Sequence, residues 1–157
     1  MSKFKELYHA DIARYGGKAE AYMRVFHYLY RKAATATFAP ARFCYKALFR
    51  IWANRRGLEL TANQQVGGGI YIGHAYNITI NCRAKIGRNC NIHKGVVIGQ
   101  VNRGPRKGYP TIGDDVLIAP NSFVNVDIPS HSVVFGNPCI VKHRDWATEG
   151  YVNNIVE

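Results

Sequence analysis

No stretch of the sequence approaches the 18 or more consecutive apolar residues that a membrane-spanning helix needs, and the basic, polar first residues contain no signal-peptide core. A cytoplasmic protein is therefore expected. Cysteine is scarce, and Cys44, Cys82, Cys90 and Cys139 form no CxxC pair and keep no regular spacing with histidine. That disfavours a zinc site or a disulfide framework, so buried thiols in a reducing compartment are expected, with Cys90 in the core and no metal. Acidic residues are nearly missing from positions 1–57, which hold 12 Lys and Arg against 3 Asp and Glu, whereas the remainder holds 9 against 7. The net charge of +11 thus belongs to the N-terminal segment. A length of 157 residues and a hydrophobic fraction of 47% allow one domain with a real core and argue against disorder.

The basic segment, 1–57, reads as helical. Gly16 and Gly17 break its first stretch, while Tyr22, Val25, Phe26 and Leu29 follow the i, i+3, i+4, i+7 spacing of a second helix. Pro40 opens a third, with Tyr45, Leu48, Phe49 and Trp52 in the same spacing and Gly57 closing it. Cations interleaved with aromatics suit an amphipathic extension packed on the rest of the chain or on another subunit, with its cations snorkelling to water, and they also suit an anionic membrane surface. Nucleic acid is not expected, because no binding motif accompanies the charge. A solenoid needs its open end covered, which gives a helical cap a purpose.

The second half carries a six-residue beat of aliphatics: Ile80, Ile86, Ile92 and Ile98, each followed by a small or polar residue. It extends back through Leu60, Val66 and Ile72 and forward through Ile112, Ile118 and Val124, with two interruptions. A helix of period 3.6 cannot keep such a beat on one face, whereas short strands joined by tight corners can. Repetition at a fixed period points to a coiled parallel β-structure.

Together with the closing segment IPSHSVVFGNP, Ile128 to Pro138, these hexads resemble the hexapeptide-repeat acyltransferases, and most of all the serine O-acetyltransferases and related polysaccharide O-acetyltransferases. The resemblance implies a mainly β fold, a left-handed parallel β-helix with three hexads per coil, preceded by the α-helical segment. The expected organisation is a helical segment 1–57, a β-helix 58–142 with a projecting loop 99–111, and a tail 143–157. Ten beat positions amount to just over three coils, and relatives generally run one more. A trimer is implied, with a hexamer left open and active sites between adjacent subunits.

Chemistry is sought where the beat breaks. The first break, from Ile72 to Ile80, contains IGHAYNITIN, which resembles the D-H-x-x-G-I-V-V-G stretch whose histidine is the catalytic base of serine acetyltransferases. His74 is therefore the expected base; Gly73 stands where the family has Asp, and Asn77 where it has Gly. A histidine suits the task, because a hydroxyl attacking the thioester of acetyl-CoA must lose its proton and an imidazole with a pKa of about 6.5 is partly neutral at physiological pH. GLEL at Gly57–Leu60 resembles the family's G-[Asp/Glu]-I-H-P entry to the first coil, which makes Glu59 the expected orienting carboxylate. It precedes His74 by 15 residues, close to one coil.

The second break, Ile98 to Ile112, carries GQVNRGPRKGYP, too rich in Gly, Pro and cations to stay in the coil. The family's matching loop ends in R-H-P, whereas this chain has Gly108, Tyr109 and Pro110. Tyr109 is a poor replacement base but can donate to an acceptor. That departure weakens L-serine as acceptor and leaves room for a sugar hydroxyl. Arg103, Arg106 and Lys107 are candidates for CoA phosphates or an anionic acceptor. His93 is read as a surface corner or an acceptor-side residue, and Gly99 as a place where a backbone N–H faces the developing oxyanion. The resemblance adds Ala119, Ser122 and Lys142 for the pantetheine and adenine ends of acetyl-CoA. A non-catalytic trimeric scaffold that has lost acetyl-CoA binding is the reading from a different class.

Overall fold

The computed structural model describes residues 1–62, 64–105, 107–150 and 155–156. Three helices come first: α1 Lys3–Ala13, α2 Ala21–Thr35 and α3 Ala39–Asn54. Ser2 caps α1 by accepting from the Lys5 amide, Gly16 and Gly17 at positive φ end its turn, and Pro40 sits in the first turn of α3, where its missing N–H costs nothing.

Twelve short strands follow: β1 Leu58–Glu59, β2 Gln65–Val66, β3 Tyr71–Gly73, β4 Ile78–Ile80, β5 Lys85–Ile86, β6 Asn91–His93, β7 Val97–Ile98, β8 Thr111–Ile112, β9 Val116–Ile118, β10 Phe123–Val124, β11 Ser132–Phe135 and β12 Ile140–His143. They form three sheets, which we call A (β1-β4-β7-β10), B (β2-β5-β8) and C (β3-β6-β9-β11-β12). Every pairing is parallel except that of β12 on β11, so each turn of chain visits A, B and C in order and stacks on the turn before it. The result is a three-sided parallel coil. The aliphatic beat points inward, and Ile72, Ile92, Ile118 and Val134 form one buried column, each stacked on the residue one coil below.

The coil count differs from the sequence estimate of just over three. β10, the Ile112–Ile128 bridge and β11 complete a fourth turn, with Ile128 and Val134 both buried. The last side of the coil is shortened, so these two aliphatics fall out of step with the six-residue beat.

Corners explain several residue choices. Asn77, Asn89 and Asn121 adopt positive φ, a conformation that Asn tolerates and Gly adopts freely, so Asn77 is suited to a place where the resembling motif has Gly. The side chain of each lies over a glycine of the coil below, and a Cβ on Gly57 would meet the Asn77 Oδ1 at 2.6 Å.

The helices cover the open end of the first coil. Met23, Phe26, Tyr30, Phe49 and Ala53 join the inner aliphatics in one buried cluster. The buried face of α2 is Met23, Phe26, His27, Tyr30 and Arg31, rotated from the expected one, and Val25 is exposed; on α3 Phe49 is buried but Leu48 is exposed. Buried His27 and Arg31 are explained by their partners. The first coil has no coil beneath it, and its edge is closed by side chains instead of strands. Arg31 donates to the Val66 and Gly67 carbonyls (2.9 and 2.6 Å) and to both oxygens of Asp11. Asp11 Oδ1 accepts from the Gly69 and Ile70 amides, and the Tyr15 hydroxyl accepts from the Ile72 amide.

Of the cysteines, Cys90 is in the core, where burial pushes its thiol up to about 12, but Cys44 and Cys82 are exposed; all four are free. Beyond β12, Asp115 accepts from the Ala147 and Thr148 amides and from the Thr148 hydroxyl, tying the following segment to the coil.

Candidate functional site

Most of the candidate residues fall on two edges of sheet A, with Glu59 on β1 of that sheet and Lys142 on β12 of sheet C. The edge where sheet C turns into sheet A carries His74, His93, Ala119 and Ser122 on successive coils. The edge where sheet A turns into sheet B carries Gly99, Arg103, Lys107 and Tyr109. Arg106 lies outside the described residues.

His74 follows β3 at φ 58°, in the left-handed region, and its side chain is exposed. The corner that holds it is two residues longer than the next one up: Ile72 and Ile92 are paired 20 residues apart, Ile80 and Ile98 only 18. The extra length puts His74 outside the column instead of in it.

His93 ends β6, paired in register with Gly73, and is 1% exposed. Its imidazole occupies the space directly above Gly73, so that any Cβ at position 73 would collide with the ring. This accounts for the glycine where the family has an acid: the room is taken by the histidine of the next coil. Burial, and then the nearby His74, lower the pKa of His93 and hold it neutral. Sequence reading placed His93 on a surface corner and did not pair it with His74. The available signal was the 20-residue interval from Gly73 to His93, one lengthened coil.

Glu59 lies on β1, exposed, and is paired in register with Thr79. It does not sit one coil below His74, because the coil is longer than the 15-residue interval. Among the described residues no hydrogen bond joins Glu59 to His74. Glu59 instead lines a cleft of about 900 Å³ between α3 and sheet A, together with Thr79, Asn81, Cys82 and Gly99, and with Phe43, Lys46 and Arg50 from the helix. His74 is not among the residues lining it.

Gly99 borders this cleft, but its N–H is committed to the Val124 carbonyl at 2.9 Å, so it is not free to meet an oxyanion as expected. The chain then leaves the coil. Val101 and Gly108 exchange both backbone hydrogen bonds, pinching the loop at its base, and Arg103 and Lys107 are exposed beyond the pinch. Tyr109 is anchored by Arg83, which donates to its hydroxyl and lies over its ring.

Higher on the first edge, Ala119 donates its N–H to Val134, and the Ser122 hydroxyl, buried, donates to the Ala119 carbonyl at 2.7 Å. Ser122 therefore shapes its corner and has no proton left for a ligand. Lys142 is exposed on β12, its ammonium over the Phe135 ring.

The resemblance read from the hexads and their breaks is borne out by comparison with known proteins. The serine acetyltransferase of Staphylococcus xylosus is 31% identical over 107 residues, covering 57% of this chain and 50% of that protein. That of Staphylococcus aureus is 30% identical over 112 residues, covering 60% and 53%. The chain thus spans about half the length of the curated relatives it matches. No family model matches it. Among solved structures, Entamoeba histolytica serine acetyltransferase isoform 3 in complex with cysteine superposes with a TM-score of 0.68 over 98% of this chain and 61% of that one, at 22% identity. Soybean serine acetyltransferase complexed with serine gives 0.69 over 88% and 69%, at 20% identity. The fold is shared with these enzymes.

Proposed function

We propose that this chain is an acetyl-CoA-dependent O-acetyltransferase of the serine acetyltransferase type, a left-handed coil that works as a trimer. The observation that carries the reading is the position of His74. It is the one exposed histidine at the lengthened corner of a fold shared with serine acetyltransferases, and a second, neutral imidazole stands beside it.

In the proposed step, His74 takes the proton of the acceptor hydroxyl as its oxygen attacks the thioester carbonyl. The tetrahedral adduct collapses, the C–S bond breaks, and the CoA sulfur leaves with the proton that the imidazolium returns. No covalent enzyme intermediate is needed, since base, hydroxyl and thioester can be held in one complex. A neutral His93 adds no positive charge beside the base. Glu59, which lines the cleft beside α3 and not the His74 corner, is left without a part in this step. Arg103, Lys107 and Lys142 are assigned to the phosphates of acetyl-CoA, and Ala119 to its pantetheine arm.

The separation of the two edges supports assembly. A threefold, head-to-tail arrangement would bring the loop edge of one subunit, with Tyr109, against the histidine edge of the next.

A second reading, a sugar or polysaccharide-precursor hydroxyl as acceptor, is favoured by one observation. The room for an acid at position 73 is taken by the His93 ring, and Tyr109 stands where the family's loop has its active-site histidine, so two residues of the resembling motifs are changed together. Thiol release from acetyl-CoA, followed with L-serine and then with a panel of sugars, separates the readings. Turnover with serine supports the first, and turnover with sugars alone the second. Neither acetyl-CoA binding nor thiol release with any acceptor leaves the trimeric scaffold.

A further inference from the structure

Among the described residues, nothing packs on the outermost side of α3, around Leu48 and Ile51. Its inner side, Phe49 and Ala53 with Tyr45 and Trp52 half-buried, packs on the core. The side facing away from the core carries Ile51 and Leu48 with Cys44, and Phe43 and Ala47 continue it toward the cleft over sheet A, whose mouth they line together with Lys46 and Arg50. Phe43 is 74% exposed, Ile51 55% and Leu48 51%, and Phe38 at the N-cap is 69% exposed. Single exposed apolar residues are ordinary, but a contiguous stripe of this kind marks an interaction surface.

The charge around the stripe is of one sign. Residues 21–58 hold 8 Lys and Arg and no Asp or Glu, and Arg50 and Arg55 are exposed on either flank of the stripe with Lys46 half-buried beside it. A twofold copy of this face set against itself would put cation against cation with no acid to offset them. A surface rich in anions and able to take up aromatic and aliphatic side chains meets both requirements.

We propose that the outer face of α3 docks on an anionic phospholipid membrane, with the helix lying in the interface, its stripe in the acyl boundary and Lys46, Arg50 and Arg55 at the headgroups. Lying on the surface is the geometry that fits: no helix among the described residues is long and apolar enough to cross a membrane. Arg50 and Arg55 both reach the same lipid only if the stripe faces it, because they lie on its two sides. The inference stands apart from the proposed catalytic activity and is read without it.

Flotation of the full chain with vesicles of phosphatidylcholine alone and of phosphatidylcholine mixed with phosphatidylglycerol tests it. Binding to the mixed vesicles is expected, with little to the neutral ones and loss in about 0.5 M salt, where charge is screened over a few ångströms. Arg50→Glu with Arg55→Glu should weaken binding at least about thirtyfold, two cations being worth roughly that factor. Leu48→Ser with Ile51→Ser should weaken it as well, with circular dichroism confirming that each variant folds. The proposal is overturned by equal binding to both vesicle types, by binding unchanged in both variants, or by no binding from a folded wild-type chain. It is also overturned if the serine variant instead loses a higher oligomer seen in the wild type, which would give the face to a second copy.

Discussion

Replacing Asp11 by alanine should damage the fold far more than its place on an N-terminal helix suggests. Its carboxylate is fully buried and accepts from Arg31 Nε (2.7 Å) and Nη2 (2.9 Å), from the Gly69 and Ile70 amides, and from His27 Nδ1 at 3.1 Å. Removing it strands a buried guanidinium and two edge amides at once. Breaking a buried pair by deleting one partner costs about 3–5 kcal/mol, and we take about 4. With a urea m-value of about 2 kcal/mol per M, the midpoint of unfolding falls by about 2 M. The comparison is equilibrium urea denaturation of wild type, Asp11→Ala and Glu6→Ala at one protein concentration, since the exposed Glu6 should shift the midpoint by no more than about 0.25 M. Asp11→Leu combined with Arg31→Met removes the stranded charge and should recover about half of the loss. The rest persists, because the Val66 and Gly67 carbonyls and the Gly69 and Ile70 amides lose their partners in that variant too. A midpoint shift for Asp11→Ala no larger than that of Glu6→Ala would refute the idea that this network closes the edge of the coil.

Gly73→Ala should cost about 1–3 kcal/mol through collision with the His93 ring, and His93→Ala in the same chain should restore most of it; thermal melts of the two variants decide. Stability should also fall with acid in two stages. His93, whose folded pKa is lowered by burial and by His74, binds its proton more readily unfolded, so stability declines as pH drops below the ordinary value of 6.5, and His93→Gln should flatten that limb. Asp11 and Asp115 resist burial through their partners and are held below the ordinary value of 3.8, so their contribution is complete above about pH 4 and is lost as pH falls through the lowered values. Arg83→Ala should change stability by less than about 1 kcal/mol yet speed proteolytic cleavage within residues 102–107, because it frees Tyr109 at the base of the loop.

The inner ladder was legible because one kind of residue, a β-branched aliphatic, recurs wherever the coil turns its side chains inward. The two breaks were legible for the same reason, and so was the helical cap. The fourth coil was not, because Ile128 follows Val124 by four residues and the shortened side hides its register. The rotated face of α2 escaped notice because His27 and Arg31 look like solvated residues until the unpaired edge of the first coil supplies their partners. At the site, His74 could be located from its corner. The burial of His93 could not, since it depends on a missing side chain at Gly73 one coil away. The separation of Glu59 from His74 was missed because 15 residues fall short of a coil, which here spans 20 and pairs Glu59 with Thr79 instead.

The central claim is that His74 is the base of an acetyl transfer from acetyl-CoA to a hydroxyl. The most direct test is the rate of thiol release from acetyl-CoA by the wild type and His74→Ala, each with the acceptor that the panel identifies and each checked for acetyl-CoA binding. The account predicts that His74→Ala binds acetyl-CoA normally and releases thiol at least about a hundredfold more slowly. Wild-type turnover in that variant would contradict it.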